Sequence, residues 1–151
     1  PAYAHQHAVL VLIELLQPYL RQYPAGYLSI SPADLSLQSG QLVQPDLFVV
    51  SPVGGRRPRD WEEIGIPLLV VEILSPSTAR YDRFTKRRRY QRSGVGTYWI
   101  VDLDARLVEV WRPEDERPAV LNDELVWQPD PVVTPLRIDL PAFFAEVLEG
   151  G

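Results

Sequence analysis

The run PLLVVEIL, residues 67 to 74, restricts the fold more than any other stretch of the chain. It is apolar without alternation, so a strand made from it must be covered on both faces. That places it centrally in a sheet, with further layers above and below. One carboxylate, Glu72, stands inside it among Val70, Val71, Ile73 and Leu74. Side chains alternate along a strand, so Glu72 is expected to share a face with Leu68, Val70 and Leu74. An ionised carboxylate there loses several kcal/mol to desolvation unless it is paired or bound to a metal.

The flanking segments fit such a sheet. Residues 5 to 22, HQHAVLVLIELLQPYLRQ, read as a helix buried on most sides, with His7, Glu14 and Arg21 forming its polar stripe. YLSIS, DLSLQ and PDLFVV read as strands between Tyr27 and Val50. A loop rich in glycine, proline and charge then leads into PLLVVEIL. SPST supplies a turn and a helix N-cap, with Ser75 in that role, and residues 80 to 93 form a helix ended by Gly94. GTYWIVD is a second buried strand, with Tyr98 and Trp99 in the core, and pairs with ARLVEVW across LDA. Residues 113 to 135 are loop-like with one or two short strands, and LPAFFAEVL is a terminal helix. This order predicts an α/β or α+β sandwich, and 151 residues fit one domain spanning 1–151.

Composition narrows the chemistry. There is no cysteine, which excludes disulfides and thiolate metal sites and fits a reducing, cytoplasmic location. With two histidines, a histidine-rich zinc site is not expected, and a bound metal would be hard and oxygen-ligated. AVLVLIELL is too short to span a bilayer and contains Glu14, so no membrane is expected as a partner. Nor does the N-terminal region resemble a signal peptide. The chain contains no methionine, which leaves room for residues ahead of Pro1. The formal charge of −5 gives no overall attraction to nucleic acid. Locally the balance reverses: between Arg80 and Arg92 there are seven basic residues and one acid.

Two acids and one base stand out. Asp46 opens PDLFVV and Glu72 lies late in PLLVVEIL. If those strands are neighbours, the two carboxylates converge on one cation, and the carbonyl of Ile73 with ordered waters completes a magnesium shell. Such an ion polarises a phosphate oxygen and acidifies a bound water for phosphodiester hydrolysis. Lys86 is the only lysine beside fourteen arginines. Asp82, Lys86 and Tyr90 lie four apart on one helical stripe, which would aim Lys86 at the strand end, where it stabilises charge or orients water.

Each residue also has a plainer reading. Asp46 after a proline can cap a turn, and Glu72 can pair with Arg83 or Arg87 in a sealed core. Lys86 can be a surface lysine. Arg87, Arg88 and Arg89 can form a solvated face or, with Arg83, Arg56, Arg57 and Arg59, line a phosphate groove. His5, with Val9, Leu12 and Leu16, reads as a core histidine more readily than as a group supporting the site.

PDLFVV, VVEILSPST, D-x-x-x-K-x-x-x-Y and GVGTYWIVD, in this order, resemble the Uma-two family of restriction-endonuclease-like proteins. His5 and Gln6 near a helix start are similar as well. The resemblance covers a core of about residues 5–112 and is looser over the C-terminal strands and helix, 113–151. It implies the PD-(D/E)xK nuclease fold, a mixed β-sheet flanked by helices, with Asp46 and Glu72 as metal ligands for Mg2+ or Mn2+. In that superfamily the lysine follows the second acid by two residues. Leu74 stands there in this chain, so Lys86 takes the displaced role. The expected activity is metal-dependent endonucleolytic hydrolysis, with DNA as partner and a homodimer as the assembly that cuts both strands. The alternative is a nucleic-acid-binding or regulatory module that keeps the fold without catalysis, which Leu74 favours.

Overall fold

A computed structural model describes residues 2–31, 33–37, 40, 42–74 and 81–150, without the side chains of Ala2, Tyr81 and Asp82. Its centre is a six-stranded mixed sheet. In spatial order the strands are β1 (Tyr27–Ile30), β4 (Leu47–Val50), β5 (Leu69–Leu74), β6 (Thr97–Asp102), β7 (Leu107–Trp111) and β8 (Ala119–Leu121). All neighbours are antiparallel except β5 and β6, which run parallel. A parallel pair needs a long crossover. Here it includes α2 (Tyr81–Arg92). The remaining turn and N-cap read from SPST lie outside the described residues.

The unbroken apolar runs become the two central strands. In β5, Leu69, Val70 and Val71 are wholly buried, and Thr97 to Val101 are buried throughout β6. Alternation sorts their side chains into two cores. Leu69, Val71, Ile73, Trp99 and Val101 face α1 (Ala2–Gln22) and α3 (Leu140–Glu149). Val70, Tyr98 and Ile100 face α2 through Tyr90, together with β2 (Leu35–Ser36) and β3 (Leu42–Val43), which pair with each other. A second two-stranded sheet, β9 (Glu124–Trp127) with β10 (Leu136–Asp139), closes the α1 side.

Two details adjust the sequence reading. Leu68 precedes β5 and packs on the α1 side, because its N–H is tied to the Val49 carbonyl at 2.8 Å. It therefore does not share Glu72's face. The helix α1 begins at Ala2, ahead of the expected start at residue 5.

Where α2 returns to the sheet, Gly94 takes a left-handed φ of 78° and Gly96 crosses the chain leading into β5. A Cβ on Gly96 would meet the Leu68 carbonyl oxygen at 2.8 Å, against backbone that cannot rotate away. Gly96→Ala is expected to cost about 1–3 kcal/mol, the usual scale of overpacking, read as a lowered urea midpoint with an unchanged slope.

Candidate active site

The pairing of β4 with β5 sets Leu47 opposite Val71, Phe48 opposite Val70 and Val49 opposite Leu69. One further step in that register puts Asp46 opposite Glu72. Both acids line a cavity of about 180 Å³, along with His5, Gln44, Ile73 and Lys86. The acids meet because period-two patterning fixes which residues of the two strands face each other.

Asp46 is held from two sides. Its Oδ2 accepts a hydrogen bond from the Ile73 N–H at 2.8 Å, across to the neighbouring strand. Its Oδ1 lies 3.1 Å from His5 Nε2, which α1 brings over the end of the sheet. Glu72 is held from the opposite face. The Tyr90 hydroxyl donates to Oε1 at 3.1 Å, and the Tyr98 hydroxyl donates to Oε2 at 2.9 Å. The Lys86 ammonium is 3.5 Å from Oε1. Lys86 and Tyr90 share a stripe of α2, so one helix face delivers both groups.

Burial pushes the Glu72 carboxyl above its usual value. Lys86, Tyr98 and Tyr90 pull it back, and the charge of Asp46 raises it further; burial wins. This follows from placing a carboxylate 13% exposed beside a second acid. The same burial, with the charge of Glu72, drives Tyr90 far above the ordinary phenol range. Tyr90 therefore remains a proton-bearing donor to Glu72. The site as a whole is two opposed carboxylates, one deprived of solvation, with an ammonium beside them and an opening to solvent.

The family model described as "Uma2: Putative restriction endonuclease" matches residues 1–141. The chain belongs to the Uma2 family. A crystal structure described as a "putative nuclease belonging to DUF820", from Anabaena variabilis ATCC 29413, superimposes with a TM-score of 0.76 at 19% identity. The match covers 98% of this Uma2 chain and 84% of that one. At that identity the likeness is one of fold, the restriction-endonuclease-like mixed sheet flanked by helices. No curated protein matches the chain.

In this Uma2 chain the expected residues fall into three groups. Asp46, Glu72, Ile73 and Lys86 line one cavity, and His5 lies with them rather than in the core. The α1 stripe from His5 through Leu12 and Leu16 does face the core, but His5 is nearest the helix start. There it passes the sheet end and reaches Asp46. Arg83 lines the cavity as well, yet its ion pair is with Glu109 at 3.2 Å rather than with Glu72. Arg87 lies against the rings of Phe84 and Trp111. The sealed Glu72–arginine pair is thus replaced by contact with Lys86. Nor does Asp46 cap a turn, since its carboxylate bonds across the sheet.

Arg56 and Arg57 are elsewhere. Arg56 is paired with Glu63 at 2.8 Å, and Arg57 lies over the Tyr27 ring. Tyr27 pairs with Val50, at the end of β4 remote from Asp46. Arg57 and Arg59 line a hollow with Tyr27 and Trp61, whereas Arg83, Arg87 and Arg88 line hollows along α2. Arg88 is on α2, close to Phe84. Ser75 and Arg80 lie outside the described residues, as does the side chain of Asp82.

Tyr98 is the site residue that sequence reasoning placed only in the core. It is buried, but its hydroxyl reaches Glu72. The available signal was parity: in parallel register Glu72 lies opposite Ile100, so Tyr98 is two residues away on the same face. Gln44, bonded to Asp34 at 2.6 Å, is a further lining residue without a sequence signal.

Proposed function

We propose that the chain is a divalent-cation-dependent endonuclease that hydrolyses phosphodiester bonds in DNA. The observation that carries this reading is the convergence of Asp46 and Glu72, from adjacent strands, into an open cavity beside the Lys86 ammonium.

The donor set fits magnesium or manganese. Among the described residues, both Asp46 oxygens and Glu72 Oε2 each engage one neighbour and retain a lone pair, whereas Glu72 Oε1 meets both the Tyr90 hydroxyl and the Lys86 ammonium. Among the described residues no group of three or more His, Cys, Asp or Glu is placed to hold a metal. Magnesium does not need one, since one or two carboxylates with water and substrate phosphate are its common environment. Asp46 and Glu72 would hold the ion, with the Ile73 carbonyl as a further oxygen. A bound ion would supply polarisation of the phosphate and a more acidic water.

The chain's own groups do the rest. Ile73 N–H and His5 fix the orientation of Asp46, while Tyr90 and Tyr98 fix that of Glu72. Lys86 places a positive charge where negative charge grows on the phosphate. From α2 it can occupy the space that Leu74, on β5, leaves without an ammonium. Two copies related by symmetry would present two such sites to the two strands of a duplex.

The test is incubation of supercoiled plasmid with Mg2+ or Mn2+. Wild type is expected to nick or linearise it, chelator to stop the reaction, and Asp46→Asn to be inactive. Cleavage surviving in Asp46→Asn would end the proposal. Lys86→Ala is expected to keep cation binding by calorimetry while turnover falls on the order of 10²-fold. Equal loss of both would assign Lys86 to holding the site together. Cation binding without cleavage of any DNA would favour the non-catalytic module.

A further inference from the structure

The cavity holding the acids does not end at Lys86. It shares Arg83 and Ile100 with a second hollow of about 230 Å³, lined also by Phe84, Arg87, Glu109 and Trp111. That hollow shares Phe84 and Arg87 with a third, of about 430 Å³, which continues past Arg88 and Gln91 to Arg92. The three form one groove along α2, leading away from the acid pair. From Arg83 to Arg92 the helix rises roughly 13 Å, about the rise of four stacked nucleotides.

The walls carry a specific chemistry. Phe84 is 53% exposed on a helix whose exposed face is otherwise polar. One exposed ring is ordinary by itself. Here, however, the guanidinium of Arg87 is 4.7 Å from its centroid and that of Arg88 is 5.6 Å away. Arg87 also lies 4.3 Å over Trp111. Stacked aromatic and guanidinium planes are the surfaces on which unpaired bases rest. The positive charges beside them suit a phosphate backbone. Burial and then the charge of Arg88 depress Arg87, Glu109 offsets part of this, and a phosphate would offset more. Three acids line the same hollows: Glu109 pairs with Arg83 at 3.2 Å, Asp115 accepts from the Arg112 N–H at 2.8 Å, and with Glu116 they leave the four arginines one positive charge in excess.

We propose that this groove holds a single strand of DNA leading out of the site, with one base stacked on Phe84. A duplex would use the arginines, but it keeps its base faces stacked on one another and has none to offer the ring. The inference rests on the nuclease reading of the acid pair and specifies its substrate as DNA with an unpaired flank.

Binding without turnover separates the two readings. Fluorescence anisotropy would be measured in chelator with a labelled single-stranded 12-mer and with the same sequence as a duplex. Wild type is expected to prefer the single strand, and Phe84→Ala to weaken that binding about tenfold, the scale of one lost base stack. Phe84→Trp, which keeps a ring, should restore it. Arg88→Ala should reduce the salt slope of binding by about one. Trp61, 57% exposed beside Arg57 in a different hollow, is the control, and Trp61→Ala should leave affinity within twofold. A melting scan confirms that each variant is folded. Equal affinity for both DNAs, or single-strand affinity indifferent to Phe84→Ala, overturns the groove even if plasmid cleavage is intact. If instead Trp61→Ala carries the loss, the strand lies in that other hollow and the proposal is wrong. Ring-dependent binding by a protein that cuts nothing upholds the groove and removes the nuclease.

Discussion

Glu72→Gln is expected to abolish cleavage and, in the same molecule, to raise the melting temperature. Removing one carboxylate from a two-carboxylate cation site should lower turnover on the order of 10³-fold, the upper scale for a single preorganised electrostatic group. Stability should move in the opposite direction. Glu72 is buried, faces Asp46 and has its carboxyl raised by burial, so without a cation its ionised form works against folding. Glutamine keeps the shape and an acceptor for a tyrosine hydroxyl while discarding the charge. A gain of about 1 kcal/mol is expected, or roughly 2–4 °C for a chain of this size.

The pH dependence has a definite sign. A carboxyl raised by folding holds its proton more tightly in the folded state than in the unfolded one. Its contribution is fully favourable below the ordinary value near 4.5, and it is lost as pH climbs from there through the raised folded value. In chelator, the stability difference between wild type and Glu72→Gln should therefore widen with rising pH across that window and then level off. A difference that stays flat from acid to neutral pH would mean that Glu72 is adequately compensated without metal. The case for a cation would then lose its energetic support.

The second large effect lies in the core. Trp99 is wholly buried at the centre of β6, edge-on to Trp127 at 6.3 Å. Trp99→Ala is expected to cost about 3–5 kcal/mol, enough to leave a marginally stable chain partly unfolded at room temperature. Trp99→Phe should cost far less than volume alone suggests. Among the described residues, the indole N–H of Trp99 is a buried side-chain donor with no hydrogen-bond partner, a penalty that phenylalanine does not carry. Urea unfolding of both variants decides this. A Phe variant as unstable as the Ala variant would show that the indole N–H is satisfied in solution.

Much of the site was legible because period-two patterning extends across a strand pair. Once PDLFVV and PLLVVEIL are read as neighbouring strands, Asp46 and Glu72 can converge, and the observed register sets them opposite each other. The same logic delivers Lys86 and Tyr90 together, four residues apart on α2. Other features have no such rule. Tyr98 sits in a strand buried on both faces, where an aromatic that fills space and one that donates a hydrogen bond look alike in sequence. His5 depended on where α1 ends relative to the sheet, a tertiary fact. Arg56 and Arg57 were grouped with the α2 arginines by charge alone, and charge says nothing about which partner or hollow a loop residue finds. Residues 113 to 135 resolved into β8 and β9 with a connecting loop, short elements whose existence was readable but whose partners were not.

The pairing of β4 with β5 has a further consequence. A slip of one residue by β4 would turn Leu47 and Val49 towards α2 and Phe48 and Val50 towards α1, as well as parting Asp46 from Glu72. The sorting of side chains between the two cores and the meeting of the acids therefore depend on one register. A chain that fills each layer with its proper side chains has, by the same pairing, brought its two carboxylates together.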